Sequence, residues 1–202
     1  MSEVTGTPGG PAANRYVTTA LDKPPDLRGP DVTSAFAELF DAHARQLRGY
    51  LAGRVGESAA DDLVAETFLV ALKRRHSYDP GLAPVKGWLY GIATNLVREH
   101  LRREARGRRA VLRVVGRPDA EPDHGHRVAS RVDAQRQTAV LARALADLRD
   151  EDRDALLLTS WAGLTPAEVA AALGENDSTV RSRLHRVRTK LQALLTEETP
   201  DA

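Results

Sequence analysis

Apolar residues recur at helical spacing through most of this 202-residue chain, and no segment alternates as a strand would. The pattern therefore predicts an all-α protein. A first amphipathic helix is predicted from about Thr33 to the glycines at 53 and 56, and a second from Ser58, whose hydroxyl can cap it. The apolar face of the first helix consists of Phe36, Leu39, Phe40, His43, Leu47 and Leu51.

A loop and a linker interrupt this helical pattern. Segment 78–84 holds two prolines and a glycine, which predicts a loop, and Pro84 suits the first turn of a third helix running to about Arg109. Further along, Gly, Pro, Asp and His accumulate and the helical period is lost. The predicted organisation is a disordered tail at 1–32, a first domain at 33–106, a flexible linker at 107–131, a second domain at 132–196 and a short tail at 197–202.

The second domain carries the sequence signals of a helix-turn-helix unit. Thr165 can cap a helix that starts at Pro166, and Glu168 completes a capping box. Gly174 can adopt the left-handed conformation that ends this helix, and Asp177 or the following serine can cap the last one. In such a unit the second helix enters the major groove of DNA.

At about 100° per residue, the last helix divides into an apolar stripe and a polar face. The stripe consists of Val180, Leu184, Val187 and Leu191. The opposite face, able to read base edges, presents Ser178, Ser182, His185, Arg186 and Thr189. The flanking cations expected to hold phosphates are Arg181, Arg183, Arg188 and Lys190. Arg186 is the best candidate for a guanine, because a guanidinium matches the two acceptors on its major-groove edge.

The formal net charge of +1, from 29 basic and 28 acidic residues, conceals a segregated distribution. Segments 98–117 and 177–190 are rich in arginine, whereas 57–66 and 147–154 are dominated by carboxylates. A single charged run is usually a solvated helix face. Two arginine-dominated blocks favour a nucleic-acid partner, because the forked guanidinium suits phosphate and base recognition.

Composition excludes several other classes of protein. The absence of cysteine rules out disulfides, thiolate catalysis and cysteine-ligated zinc. No apolar run reaches the roughly 20 residues of a membrane span, and the N-terminus lacks a secretory signal. A cytoplasmic protein without membrane insertion is therefore expected, and no cofactor, metal site or small-molecule substrate is indicated.

The third predicted helix carries a second candidate nucleic-acid surface. The side opposite its apolar face presents Gly91, Thr94, Asn95, Arg98 and Arg102. An exposed asparagine with arginines one and two turns later suits an unpaired base and its phosphates. Tyr78 and Trp88 are candidates to stack on exposed bases, although core packing is the commoner role for a tryptophan that borders an apolar stripe.

Three motifs stand in a characteristic order. They are DDLVAETF at 61–68, GWLYGIATNL at 87–96 followed by arginines, and STVRSRLHRVR at 178–188. In sequence, order and spacing they resemble the signatures of extracytoplasmic-function sigma factors of bacterial RNA polymerase, over about residues 34–195. The resemblance implies two helical domains, sigma regions 2 and 4, joined by a flexible linker. It also implies a protein that binds core polymerase, directs it to promoter DNA and helps to melt it.

The resemblance assigns a role to each motif. The acidic helix is expected to dock on core RNA polymerase through Asp61, Asp62, Leu63, Glu66 and Phe68. Capture of a flipped base of the -10 element is expected to involve Tyr78, Trp88, Asn95, Arg98 and Arg102. Recognition of the -35 element is expected to involve Ser178, Thr179, Arg181, Ser182, Arg183, His185, Arg186, Arg188 and Lys190. An anti-sigma factor is an expected further partner.

Two other interpretations stay open at this stage. A helix-turn-helix regulator could bind duplex DNA through residues 165–191 without being a polymerase subunit, but it would leave the first domain unexplained. A metal-dependent enzyme would need ligands such as Asp62 and Glu66, or the DHGH run at 123–126. A solvated docking face and a linker explain those residues more simply.

Overall fold

The described part of the chain forms six α-helices and no strand. The computed structural model describes residues 24–115, 144–145 and 147–197. The helices are α1 (Val32–Val55), α2 (Glu57–Lys73), α3 (Val85–Val115), α4 (Asp150–Ser160), α5 (Pro166–Leu173) and α6 (Asp177–Glu197), with a short 3-10 turn, Arg75–Ser77, after α2. The expected all-α fold is confirmed.

Helices α1, α2 and α3 pack around a core of leucines and aromatic rings. The rings of Tyr50 and Tyr90 meet edge-on with their centroids 5.2 Å apart, and the hydroxyls of Tyr50 and Thr94 share a hydrogen bond of 2.8 Å. Leu47 and Leu89 are buried beside them. Burial of an apolar side chain of this size contributes about 1.5 to 3 kcal/mol, so these contacts hold α3 firmly against α1.

The helix-turn-helix forms as predicted, except that Asp177 and Ser178 lie within the first turn of α6 and not before it. The Thr165 hydroxyl accepts a hydrogen bond from the Glu168 amide (3.3 Å), and the Glu168 carboxylate accepts one from the Thr165 amide (2.7 Å), which completes the capping box. Gly174 ends α5 at a φ of 67°, a left-handed conformation that glycine adopts without steric cost. The buried stripe of α6 includes Val180, Leu184 and Val187.

Helices α1 to α3 form one unit and helices α4 to α6 a second, and the two units pack directly against each other. Helix α3 crosses α5 so closely that a Cβ on Gly91 would lie 2.4 Å from the carbonyl oxygen of Ala172. Asp154 of α4 is fully buried and pairs with Arg54 of α1 and Arg98 of α3. A single cluster of buried apolar residues runs through both units, so the described helices share one core.

Two helix boundaries differ from the prediction. Helix α3 continues to Val115, past the expected end near Arg109, because an exposed glycine such as Gly107 costs a helix only about 1 kcal/mol. Helix α2 starts directly after Gly56, and no side chain caps it, so Ser58 does not have the predicted capping role.

Part of the predicted disordered tail is packed against the first unit. Leu27 is buried, and the Arg28 guanidinium donates a hydrogen bond to the carbonyl oxygen of His76 at 2.8 Å. One apolar anchor and a backbone contact thus order a segment whose polar composition predicts disorder. Residues 1–23 and 116–131 lie outside the described residues.

Candidate nucleic-acid interface

The polar face of α6 is open to solvent. Its exposed side chains are those of Ser178, Thr179, Arg181, Ser182, His185, Arg186, Arg188, Thr189 and Lys190. Arg181 forms a surface ion pair with Asp177, with 2.8 Å between Nε and Oδ2. Such a pair contributes at most about 1 kcal/mol, so a DNA phosphate can replace it. The face combines donors, acceptors and positive charge on one helix, as readout of a major groove requires.

Arg183 is turned inward and differs from its neighbours on α6. Its side chain is 13% exposed, and its guanidinium lies 3.1 Å from Asp152 Oδ1 and 2.6 Å from Glu175 Oε2. These ion pairs join α6 to the start of α4 and to the turn after α5. The structure therefore places Arg183 in the framework of the helix-turn-helix and not at the predicted phosphate contact. Sequence spacing does not separate it from Arg186, whose side chain is 60% exposed.

The 78–84 loop is built on an aromatic pair. Tyr78 is buried, and its ring lies 5.3 Å from that of the partly buried Trp88. Burial raises the pKa of the Tyr78 phenol, and the neighbouring Asp79 adds to the shift. The two rings therefore pack on each other in this structure and do not offer a free stacking surface, contrary to the prediction for Tyr78.

Leu82 at the tip of this loop is a further candidate residue that the sequence patterns did not indicate. Its side chain is 72% exposed, and the turn beneath it is fixed by a 2.8 Å hydrogen bond from the Gly81 amide to the Asp79 carboxylate. An apolar residue in the middle of a turn-forming segment is the signal that points to it. Apolar wedges of this kind pack between base steps in several DNA-binding proteins.

The packing of the two units divides the predicted surface of α3. Asn95 and Arg102 are exposed as predicted. Arg98 instead donates from Nε to an Oδ atom of the buried carboxylate of α4 at 2.6 Å. Gly91 and Thr94, predicted on the same open side, are buried, because α5 covers the glycine and α1 hydrogen-bonds the threonine. Three of the five residues of this surface are thus occupied within the chain.

The predicted polymerase-docking helix, α2, has a charged edge and a buried face. Asp61 and Asp62 are exposed, and Glu66 is partly exposed. Leu63 and Phe68 are buried in the core, so they are not surface groups as the prediction required. The resemblance to the family had assigned them to docking together with the acidic residues of the same motif.

An exposed apolar strip lies beside the acidic edge. Phe40 of α1 is about half exposed and packs on the ring of Phe68, with their centroids 5.0 Å apart. Leu69 and Leu72 of α2 are exposed as well. Phe40 was predicted to lie in the core, since it follows the apolar period of α1.

An arginine from α1 neutralises part of the acidic edge. The Arg48 guanidinium lies 2.7 Å from Asp61 Oδ1 and 2.8 Å from Glu57 Oε2. Hydrogen bonding from Arg48 lowers the pKa of the Asp61 carboxyl, so the ion pair persists to more acidic pH.

The structure offers no support for a metal centre in its described part. Among those residues, no three His, Asp or Glu side chains form a group able to hold a metal ion, so Asp62 and Glu66 have no third ligand there. The DHGH run at 123–126 lies outside the described residues. Of the helices described, none is both long and apolar enough to cross a membrane.

Comparisons with known proteins account for both halves of the chain. The family model of sigma-70 region 2 matches residues 39–107, and that of sigma-70 region 4 matches residues 138–191. The ECF RNA polymerase sigma factor SigL of Mycobacterium tuberculosis is 32% identical over 160 residues, which cover 79% of this chain and 88% of SigL. The RNA polymerase sigma factor CarQ of Myxococcus xanthus is 34% identical over 165 residues, which cover 81% of this chain and 90% of CarQ.

Solved structures agree with these relatives. The structure of CnrH in complex with the cytosolic domain of CnrY matches with a TM-score of 0.57 at 27% identity, over 83% of this chain and 91% of CnrH. The sigma factor RpoE in complex with the anti-sigma factor NepR, from Bartonella quintana, matches with a TM-score of 0.59 at 25% identity, over 81% of this chain and 98% of RpoE. A helix-turn-helix regulator that acts without polymerase would leave the region 2 match unexplained. This chain therefore belongs to the extracytoplasmic-function sigma factors of bacterial RNA polymerase.

Proposed function

We propose that this protein is an alternative sigma factor that binds core RNA polymerase, directs it to promoters through their -35 and -10 elements, and promotes DNA melting. The observation that carries the proposal is the presence of two separate exposed polar surfaces, on α6 and α3, in a chain of this family. Residues 33–106 act as region 2 and residues 132–196 as region 4. The protein needs no catalytic group or cofactor of its own, because polymerase supplies the chemistry, and it acts in the cytoplasm with that enzyme.

The exposed face of α6 reads the -35 element. Arg186 and His185 contact base edges. The most specific of these contacts is a bidentate one from Arg186 to guanine, which favours guanine over the other bases by about 1 to 3 kcal/mol. Arg181, Arg188 and Lys190 contact phosphates and set the register of the helix on DNA. The support for these roles is the shared exposure of the five side chains.

The α3 surface and the adjoining loop act on the -10 element. The exposed Asn95 amide offers both a donor and an acceptor to an extruded base, Arg102 holds the neighbouring backbone, and Leu82 packs where the base leaves the stack. Extrusion costs a few kcal/mol, and stacking with hydrogen bonds returns about 1 to 3 kcal/mol per base. Melting is therefore marginal and depends on the base sequence.

The acidic edge and the apolar strip of α1 and α2 together form the surface that docks on core polymerase. An apolar centre of Phe40, Leu69 and Leu72 beside a charged rim of Asp61 and Asp62 matches the general anatomy of protein interfaces. The centre supplies the affinity, and the carboxylates favour a basic partner surface.

A protein antagonist is a further partner that the relatives suggest. CnrH was solved with the cytosolic domain of CnrY, and RpoE of Bartonella quintana with the anti-sigma factor NepR. We propose that an anti-sigma factor likewise holds this chain inactive, by covering surfaces that polymerase or DNA would otherwise contact.

The proposal is tested by run-off transcription on a library of genomic fragments, with core polymerase in the presence and absence of this chain. New transcripts that share upstream sequence elements are expected. The Arg186→Ala variant should lose a subset of these transcripts while it still binds core polymerase. Absence of any added transcript with the wild-type chain would overturn the proposed function.

A further inference from the structure

Two arginines of the region 2 unit converge on one buried carboxylate of the region 4 unit. Asp154 of α4 is 0% exposed. It accepts hydrogen bonds from Arg54 at the end of α1 and from Arg98 of α3, the latter with 2.6 Å between Nε and Oδ2. The Arg54 side chain is 2% exposed, although nothing in the sequence marked it as a functional residue. Both cations belong to one unit, and the anion that joins them belongs to the other.

The two guanidinium groups offer more donors than the carboxylate accepts. Nη2 of Arg54 and Nη2 of Arg98 are both buried and find no hydrogen-bond partner among the described residues. A buried polar group without a partner is costly and needs a reason. A phosphodiester places its two charged oxygens on a tetrahedral phosphorus, so it can approach these donors in a geometry different from that of the planar carboxylate. The arginine pair thus has buried donors left over for a backbone phosphate.

The electrostatics of the site agree with an anion site that is only partly neutralised. Burial acts to lower the pKa of the Arg54 guanidinium, but the combined effects of Asp154, Tyr50 and Asp150 outweigh it, and the pKa is raised. Next to it, burial and the charge of Arg54 lower the pKa of Arg153. Three arginines therefore surround Asp154 and Asp150, and the excess of positive charge favours an anion at this place when the two units are apart.

The packed arrangement itself is incompatible with simultaneous contact to both promoter elements. The -35 and -10 elements lie about 25 base pairs apart by their names, which corresponds to about 85 Å at a rise of about 3.4 Å per base pair. A compact chain of this length has a radius of gyration of only about 17 Å. The units must separate before both elements are bound, and separation exposes Arg54 and Arg98 together.

We infer that Arg54 and Arg98 form a phosphate-binding site of the -10 surface, which Asp154 occupies while the two units are packed. A backbone phosphate of promoter DNA takes the place of the carboxylate when the units separate. Asp154 thereby acts as an internal competitor of DNA, and Arg54 is an additional DNA-binding residue. The inference rests on the proposed function, since it assumes that this surface meets DNA.

The test compares the full-length wild-type chain with Asp154→Asn, using fluorescence anisotropy with a labelled single-stranded 20-nucleotide DNA of random sequence. Each phosphate contact to single-stranded DNA steepens the slope of log affinity against log salt by about 0.7. Such a contact therefore contributes about fivefold more affinity at 0.1 M salt than at 1 M salt. We expect Asp154→Asn to bind at least about fivefold more tightly, with a slope steeper by that amount. The matched control is Glu151→Gln, which removes an exposed negative charge from the same helix.

A second route to the open state keeps the charges intact. In Gly91→Ala, the new Cβ would lie 2.4 Å from a backbone carbonyl of α5 in the packed arrangement, whereas alanine strengthens α3 as a helix. This variant should gain DNA affinity as Asp154→Asn does, and circular dichroism should show undiminished helix content in both. Small-angle X-ray scattering should show that both variants are more extended than the wild-type chain.

The decisive variant is the double change Asp154→Asn with Arg54→Gln, which should return the DNA affinity and the salt slope to wild-type values. The inference is wrong if the double variant keeps the gain, or if the two open variants are extended but bind DNA no more tightly. Run-off transcription by the wild-type chain with core polymerase reports separately on the proposed function, because it does not depend on these differences between variants.

Discussion

Replacing Arg183 by alanine should destabilise the fold, whereas replacing Arg186 should weaken promoter recognition and leave the fold intact. Both arginines lie on α6 in the motif that resembles a -35 reader, and spacing alone assigns both to DNA. The structure separates them, since Arg183 pairs with Asp152 and Glu175 and the Arg186 guanidinium reaches no closer than 4.0 Å to that aspartate.

The expected size of each effect follows from burial. Removal of Arg183 leaves two carboxylates, 11% and 21% exposed, without their shared guanidinium. Breaking a buried ion pair costs about 3 to 5 kcal/mol, and the remaining access to water reduces this to about 2 to 3 kcal/mol. For a cooperative fold of this size, that corresponds to a decrease in Tm of about 5 to 10 °C. Arg186→Ala should change the unfolding free energy by less than about 0.5 kcal/mol.

Two assays separate the roles of the arginines. Urea unfolding of the free chain, followed by circular dichroism, measures stability for each variant. Binding of the holoenzyme to a panel of promoters, each with one -35 base pair changed, measures recognition. Arg186→Ala should lose about 1 to 3 kcal/mol of promoter-binding free energy and should no longer distinguish the bases at one -35 position. The control Arg188→Ala should weaken binding to all promoters alike and reduce the slope of log affinity against log salt by about one.

Two outcomes would contradict these roles, one for each arginine. If Arg183→Ala unfolds at the same urea midpoint as the wild-type chain and loses affinity for promoters, then Arg183 contacts DNA and its ion pairs contribute nothing to the fold. Uniform weakening by Arg186→Ala across the promoter panel would reassign Arg186 to a phosphate.

Three further predictions concern the other surfaces and the core. Asn95→Ala should impair open-complex formation, measured by permanganate reactivity, more than closed-complex binding by gel shift; equal losses would count against base capture. Leu69→Asp should reduce affinity for core polymerase about tenfold with unchanged helix content, and unaltered affinity would remove the apolar strip from the docking surface. Burial, with a smaller effect of Lys86, lowers the pKa of His43 from 6.5. The unfolded chain therefore binds more protons below that value, so the unfolding free energy should fall as pH decreases below about 6.5. The slope should be shallower in His43→Gln, and an identical slope would show that His43 does not contribute.

Local features of this protein could be predicted from the sequence because they depend on residues three or four positions apart. The capping box of Thr165 and Glu168, the glycine that ends α5, and the buried stripe of α6 all lie within one or two helical turns. The exposed polar face of α6 follows directly, since a buried stripe determines which residues lie opposite to it. The three motifs likewise identify the family without any tertiary information.

Which apolar residues are buried between helices and which are exposed was harder to predict from the sequence. Leu63 and Phe68 were assigned to docking and are buried, whereas Phe40 was assigned to the core and is exposed. An amphipathic helix shows which of its residues are apolar, but the position of the neighbouring helix decides which of those are covered. The exposed Leu82 depends in the same way on how the loop leaves the core.

The sequence by itself determined the helices, the helix-turn-helix and the family, because these are encoded in short segments. Only the tertiary structure decided which arginines remain available to DNA. Arg98 meets a carboxylate 56 positions away, and Arg54 meets the same carboxylate from 100 positions away. Contacts at that separation leave no periodic trace in the chain, because they arise only when two independently patterned helical units bury their charges against each other.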